Sequence, residues 1–163
     1  MLPELGQVLL ALALLVAALQ AALPLAGAHR GNADWMAVAR PAAYAQLLLL
    51  GGAFALLTWA FVSQDFSVKY VADNSNSLLP MVYRYTAVWG SHEGSLLLWT
   101  LILACWNAAV ALFSRRLPQP VVARVLGVLG IVGFGFVAFL IFTSNPFIRL
   151  LPAAAEGHDL NPL

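Results

Sequence analysis

Four long runs of apolar residues constrain the fold more than any other feature of the sequence. They cover about 5–26, 42–63, 94–113 and 121–143. A helix that crosses the hydrocarbon of a bilayer needs roughly 20 mostly apolar residues at about 1.5 Å each. Its backbone groups find no water there, so they must be hydrogen-bonded within the helix. The sequence therefore predicts an all-α integral membrane protein with four transmembrane helices, which form part of a larger multi-helix bundle.

The composition agrees with a membrane environment and excludes some classes of function. Of the 163 residues, 62% are hydrophobic and 9% are charged, whereas soluble domains carry about 25% charged residues. The formal net charge of +1 offers no basic patch for a nucleic acid, so membrane lipids are the predicted surroundings. The single cysteine, Cys105, excludes an intramolecular disulfide, and its apolar neighbours predict a small buried side chain.

The first apolar run is predicted to stay in the mature protein. A secretory signal has a basic segment, a short apolar core and a small-residue cleavage site. Here the only early charged side chain is Glu4, and the run is long enough to cross a bilayer. A retained helix is therefore the better interpretation.

The basic residues between the runs predict the orientation. The segments 27–41 and 114–120, with the first turn of the fourth run, contain five arginines: Arg30, Arg40, Arg115, Arg116 and Arg124. The opposite side has three basic residues: Lys69, Arg84 and Arg149. Short loops rich in Lys and Arg stay in the cytoplasm. The loops 27–41 and 114–120 are thus predicted to be cytoplasmic, and the amino terminus, 64–93 and 144–163 periplasmic.

The segment 64–93 is predicted to be an ordered periplasmic loop. It contains the polar cluster 73–77, and Pro80 prevents one continuous helix through it. Aromatic residues that suit a membrane interface follow: Tyr83, Tyr85 and Trp89. Ordered loops of this length are often functional. The segment 144–163 is predicted to begin the next periplasmic stretch.

The densest group of chemically versatile residues starts the third run, from Trp89 to Trp99. Helical positions seven apart share a face, so His92, Trp99 and Trp106 form one stripe. Such a stripe could flank a flat hydrophobic cofactor, and it is more often a packing seam or an interface anchor. The residues that we predict to lie beside a cofactor, rather than to bind it as ligands, are Trp89, His92, Glu93 and Trp99.

Other site types find little support in the sequence. His29, His92 and His158 do not have the spacing of a metal site, and no C-x-x-C-H haem-attachment motif is present. No catalytic residue is predicted. The glycines of the fourth run, which are Gly127, Gly130, Gly133 and Gly135, lack the strand and turn of a nucleotide site. They predict close approach of other helices instead.

Several motifs in order resemble the CcmF family, the haem-lyase subunits of cytochrome c maturation. They are Met1-Leu2-Pro3-Glu4-Leu5-Gly6, Arg30-Gly31-Asn32-Ala33, Asp65-Phe66-Ser67-Val68, Trp89-Gly90 with His92-Glu93-Gly94-Ser95, Thr143-Ser144-Asn145-Pro146 and Asp159-Leu160-Asn161-Pro162-Leu163. The resemblance runs the whole length of the chain. The close paralogue that serves nitrite-reductase haem attachment is the second assignment.

The resemblance implies a function for the assembled protein. Such a protein lies in the bacterial inner membrane and takes haem from a periplasmic haem chaperone. With other haem-lyase subunits it joins haem by thioether bonds to the C-x-x-C-H motif of apocytochrome c. Residues 1–163 resemble only the amino-terminal transmembrane region of such a subunit, so a fragment is expected.

The resemblance assigns no haem ligand to this chain. The ligand histidines of the family lie beyond Asn161-Pro162-Leu163, and none of His29, His92 or His158 matches them. The chain alone is therefore expected to be inactive as a lyase. It is also expected to purify without stoichiometric haem, and a Soret band of one haem per chain would contradict this.

Other readings stay open at the level of sequence. The chain could be a complete non-enzymatic four-helix membrane scaffold, or one piece of a split haem lyase. A transporter or channel fragment is disfavoured because it would need ionisable residues along a path through the helices. The strongly polar side chains within the runs are few: Gln20, Gln46 and Asn107.

Overall fold

The computed structural model describes residues 2–158, and within them the regular elements are all helices. They are α1 (Leu2–Arg30), α2 (Ala33–Ala37), α3 (Ala39–Val62), α4 (Lys69–Asn74), α5 (Met81–Ala87), α6 (His92–Phe113) and α7 (Gln119–Phe142). The final five-residue motif, 159–163, lies outside the described residues. Four stretches, which contain α1, α3, α6 and α7, are long and apolar enough to cross a membrane. The predicted all-α fold with four transmembrane helices is confirmed, and the predicted bounds differ from the observed ones by at most four residues.

The segment between the first two long helices is more helical than the sequence suggested. Gly31 ends α1 with a positive φ of 70°, a conformation that favours glycine. Asn32 then caps α2, because its side-chain oxygen accepts bonds from the amides of Asp34 (3.0 Å) and Trp35 (3.1 Å). The chain thus turns sharply and re-enters the bundle as α3.

Helix α1 lies at the centre of the packing and contacts α7 and α3 most extensively, while α6 packs mainly on α3. Glycines allow the closest approach. A Cβ atom on Gly130 of α7 would lie 2.8 Å from the amide nitrogen of Ala21 in α1, and one on Gly127 would lie 2.6 Å from Leu25. The prediction of tight helix neighbours is thus confirmed for Gly127 and Gly130. Gly133 and Gly135 have no such neighbours within 4 Å.

The two ends of the bundle are each tied together by polar contacts. At one end, the Arg40 guanidinium donates to the carbonyl oxygens of Ala111 (3.2 Å) and Ser114 (3.0 Å), and Gln119 donates to that of Ala33 (3.0 Å). The positive charge of Arg40 is favourable here because the C-terminus of α6 carries the negative end of the helix dipole and unpaired carbonyl oxygens. The loops 27–41 and 114–120 therefore lie at the same end of the molecule.

The opposite end carries the segments 63–91 and 143–158, which pack on each other. Val68 and Arg149 form an isolated antiparallel bridge, and the Arg149 guanidinium also pairs with Glu4 at 2.7 Å. The first of these segments contains α4 and α5, where the sequence predicted only an ordered loop. Pro80 directly precedes α5. One prediction was wrong, since Cys105 is exposed on the surface of α6 rather than buried.

Candidate functional site

The turn between α5 and α6 is built around the side chain of Tyr70. Its hydroxyl donates to the carbonyl oxygen of Val88 (3.1 Å) and accepts from the amide of Ser91 (3.3 Å). Tyr70 is 4% exposed, and its ring meets that of Phe61 edge-on at 5.4 Å. Burial raises the pKa of the Tyr70 phenol above its usual 10. The neutral hydroxyl therefore remains a donor throughout the physiological range and fixes the start of α6.

Gly94 allows this turn to close. A Cβ atom at this position would overlap the carbonyl oxygen of Val88 and lie 2.5 Å from the Tyr70 hydroxyl. Any side chain there would push the turn away from α6. The glycine in the motif that begins at His92 thus has a packing reason, independent of any cofactor.

His92 is the first residue of α6, and contacts from the far end of α7 hold its ring. Its Nδ1 lies 3.0 Å from the Ser144 hydroxyl, and its ring meets that of Phe139 edge-on with centroids 6.2 Å apart. The side chain is otherwise exposed. Within residues 2–158, no group forms a hydrogen bond with its Nε2, so this nitrogen is open to a molecule that approaches the end of the bundle.

An apolar groove of about 400 Å³ lies between α6 and α7, next to His92. Its walls are aliphatic and aromatic: Leu96, Ile131, Val132, Gly135, Phe136 and Phe139. Phe139 therefore lines the groove and also touches the His92 ring. Apolar walls next to an imidazole suit a flat hydrophobic molecule with one polar edge.

The other predicted site residues lie near His92 or on the same helix. Glu93 is half-buried in the first turn of α6, where the helix dipole favours a negative charge. Trp89 lies in the turn before α6 and is 43% exposed. Trp99 and Trp106 are 63% and 67% exposed, so the predicted stripe faces outward and is not a packing seam within this chain.

The segment after α7 closes over this end of the bundle. Asn145 donates to the Gln7 side chain at 2.7 Å, and Arg149 donates to the carboxylate of Glu4 and to the hydroxyl of Ser67. Further along, the Glu156 carboxylate accepts from the amide of Ser77 at 2.8 Å. Hydrogen bonding from the Ser77 side chain and from its amide holds the pKa of Glu156 below its usual value.

A metal centre is not evident in the part of the chain that the structure describes, because no three side chains of His, Cys, Asp or Glu come together there. His29 lies at the opposite end from His92, in the last turn of α1. His158 instead approaches Asp73, with a distance of 3.6 Å between Nδ1 and the carboxylate.

Comparison with known proteins assigns the chain to a family. Over its whole length it is 59% identical to the cytochrome c-type biogenesis protein CcmF of Pseudomonas aeruginosa and 53% identical to CcmF of Escherichia coli. A solved structure named cytochrome c haem lyase CcmF superimposes on 90% of this chain with a TM-score of 0.85 and 28% identity. The chain belongs to the CcmF family. No family model matches it.

The CcmF relatives are much longer than this chain. The chain covers 25% of the length of both bacterial relatives and of the solved structure. It is also 44% identical over its length to NrfE of Haemophilus influenzae, another cytochrome c-type biogenesis protein, of which it covers 26%. The predicted resemblance to CcmF and its paralogue is therefore confirmed. It extends over about a quarter of the length of those proteins.

Two residues at the end of the bundle that carries His92 were not predicted from the sequence. Tyr70 shapes the turn before His92, and Ser144 orients the His92 ring, yet they lie 22 and 52 positions away along the chain. No local pattern links residues so far apart. The only available signal was that they lie in the segments 64–93 and 144–163. The alternation of membrane spans predicts that these two segments share one side of the membrane.

Proposed function

We propose that this chain forms the amino-terminal membrane region of a cytochrome c biogenesis protein that takes part in haem attachment. The observation that carries the proposal is the identity of 44–59% over the whole length of the chain to proteins named for cytochrome c-type biogenesis. The agreement in fold with a structure named haem lyase supports it.

In this proposal the whole protein receives haem from a periplasmic chaperone and passes it to apocytochrome c. Each thiol of the substrate motif C-x-x-C-H adds across a haem vinyl group. One C–S bond and one C–H bond form, while the S–H bond and the π bond of the vinyl are lost. Other haem-lyase subunits are the expected partners. This chain supplies the helical scaffold, and its histidines are not haem ligands.

The end of the bundle that carries His92 is proposed to face the periplasm of an inner membrane. Support comes from the arginines at the other end, where Arg40 lies on the terminus of α6 and Arg115, Arg116 and Arg124 are exposed. Trp89, His92, Glu93 and Trp99 are proposed to lie beside the haem. The apolar groove next to His92 and the open Nε2 support this placement.

A chimaeric protein tests the proposal directly. Residues 1–163 of this chain would replace the matching part of E. coli CcmF in a strain that lacks its own copy. We expect covalently bound haem to return to c-type cytochromes, as seen by haem staining of denatured gels. Absence of haem-stained cytochromes, with the chimaera present in membranes at the normal level by immunoblot, would contradict the proposal.

The same chimaera tests the residues proposed to lie beside the haem. Trp99→Leu is expected to reduce cytochrome maturation several-fold, whereas Trp106→Leu, an equally exposed tryptophan two turns further along α6, is expected to leave it unchanged. Equal effects of the two substitutions would mean that the tryptophans serve only as membrane-facing surface.

A further inference from the structure

A small, partly open cavity lies between α1, α3, α6 and α7. Polar side chains from three of these helices line it: Gln20, Gln46, Thr100 and Asn107. On the side of α7 its wall includes Gly130 and Gly133. The space open to the centre of a water-sized sphere is about 20 Å³, and roughly 10–15 Å³ suffices for one water molecule.

These polar groups are deep in the membrane-spanning part of the protein. Gln20 is fully buried, Thr100 is 1% exposed, and Gln46 and Asn107 are 4% and 5% exposed. Gln20 lies ten residues before the end of α1 at Arg30, or about 15 Å along the helix axis. That is well inside a hydrocarbon layer roughly 30 Å thick.

The hydrogen bonds of Gln20 leave one strong acceptor unsatisfied. Its amide nitrogen donates to the side-chain oxygen of Asn107 (3.1 Å) and to the carbonyl oxygen of Leu126 (2.9 Å). The backbone acceptor at Leu126 fixes which end of the amide is the nitrogen. The Oε1 atom of Gln20 is buried and accepts no hydrogen bond from residues 2–158, although buried polar atoms nearly always find a partner.

The neighbouring amides add both kinds of hydrogen-bonding group. Asn107 uses its oxygen for Gln20, and its Nδ2 donates to no group within the described residues. Gln46 donates from its nitrogen to the carbonyl oxygen of Ala13 at 2.7 Å, and its oxygen accepts nothing from that part of the chain. Each of these side chains therefore has bonding capacity left for a molecule in the cavity.

The chemistry of the lining selects a neutral ligand. A cation would meet the N–H groups of Asn107, an anion would meet the oxygens of Gln20 and Gln46, and none of the lining residues is ionisable. We propose that the cavity binds one structural water molecule. It donates to the amide oxygens of Gln20 and Gln46 and accepts from Asn107, which gives three bonds, the usual number for a buried water.

This water joins α3 to the pair formed by α1 and α6, so three membrane helices share one polar junction. The inference does not depend on the proposed haem function, because the junction lies within the bundle and uses none of the residues near His92.

High-resolution density of the full-length lyase that carries residues 1–163 of this chain tests the inference. We expect a solvent peak within about 3.2 Å of the Gln20 oxygen and the Asn107 nitrogen. The peak should vanish in Gln20→Met and persist in Gln7→Met, the same substitution on the same helix but outside the cavity. If Gln20→Met fails to fold, Asn107→Leu removes a partner from another helix and should also abolish the peak.

Several results would overturn the inference. They are an empty cavity in the unmodified protein, continuous density for an acyl chain or a side chain in its place, and a peak that persists in both Gln20→Met and Asn107→Leu. Loss of the peak in Gln7→Met as well would show that it does not report on the polar lining.

Discussion

Gly94 has the least freedom to change of any residue around the turn that precedes α6. The position of its missing Cβ is occupied by the carbonyl oxygen of Val88, and that oxygen is held by the Tyr70 hydroxyl. A backbone atom of this kind cannot rotate away as a flexible side chain could. Replacement must therefore shift the turn or the start of the helix.

We expect Gly94→Ala to lower the free energy of unfolding by about 3 kcal/mol, the upper part of the range for overpacked sites. The thermal midpoint of the full-length protein in detergent measures this. Gly90→Ala is the matched control, because a Cβ there would lie 3.4 Å from the carbonyl oxygen of Ala87, an ordinary contact. Equal midpoints for the two variants would show that the turn is more tolerant than its geometry implies.

The stability of the contact between Glu156, in the segment after α7, and Ser77 depends on pH. Its carboxylate accepts hydrogen bonds from Ser77, which lower its pKa in the folded state. A lowered folded pKa means that the stabilisation is complete above the ordinary value of 4.5 and is lost as the pH falls through the folded pKa. The contact between the segment after α7 and the one before α5 should thus weaken in acid.

NMR titration of a labelled Glu156 carboxyl carbon measures this shift. We expect a midpoint below 4.5 that rises towards 4.5 in Ser77→Ala, because the side-chain donor is lost while the amide donor stays. Ser95→Ala removes a hydroxyl at the start of α6 and should not move the midpoint. A midpoint of 4.5 in the unmodified protein would mean that the segment does not dock through Glu156.

At the scale of helices, the sequence predicted the four long elements and missed the short ones. The long helices follow from apolar runs that only a helix can place in a bilayer. Helices α4 and α5 have six and seven residues, too few for a periodic pattern, and they depend on tertiary contacts such as that of Tyr70. The sequence predicts a break at Pro80, and the structure places this residue immediately before α5.

The contact between α1 and α7 depends on a small residue, and this can be tested with a matched pair. Gly130→Ala is expected to lower the free energy of unfolding by about 1–3 kcal/mol, because a Cβ would meet the α1 backbone at Ala21. Gly135→Ala, on the same helix and with nothing within 4 Å, is expected to be neutral or to stabilise by up to about 1 kcal/mol. Thermal midpoints that fall equally for both variants would contradict glycine-mediated packing.

At the scale of the whole molecule, the sequence predicted which loops share an end of the bundle. It did not predict which side chains pair with each other at that end. Counting the spans is enough to place 27–41 and 114–120 together. The pairing of His92 with Ser144, and of Arg149 with Glu4, depends on how the helices pack in three dimensions. For the same reason the sequence identified Gln20 and Asn107 as rare polar residues without revealing that they meet.

The direction in which the bundle crosses the membrane stays a prediction with a simple test. In a Cys105→Ala background, which removes the exposed native thiol, Leu78→Cys and Leu117→Cys place one thiol at each end. A membrane-impermeant thiol reagent added to intact spheroplasts should label position 78 and not position 117. The reverse pattern would mean that the arginine-rich end faces outward.

The central place of α1 has a consequence for how the chain is made. Its amide at Gln20 bonds to Asn107 and to the carbonyl of Leu126, which lies 106 positions later. A ribosome that adds about 5–20 residues per second needs roughly 5–20 s to reach that point. Until α6 has been made, the first helix waits in the bilayer with a polar group that has neither of its final partners. Helix α1 therefore gains its complete set of polar contacts only after α7 has been inserted.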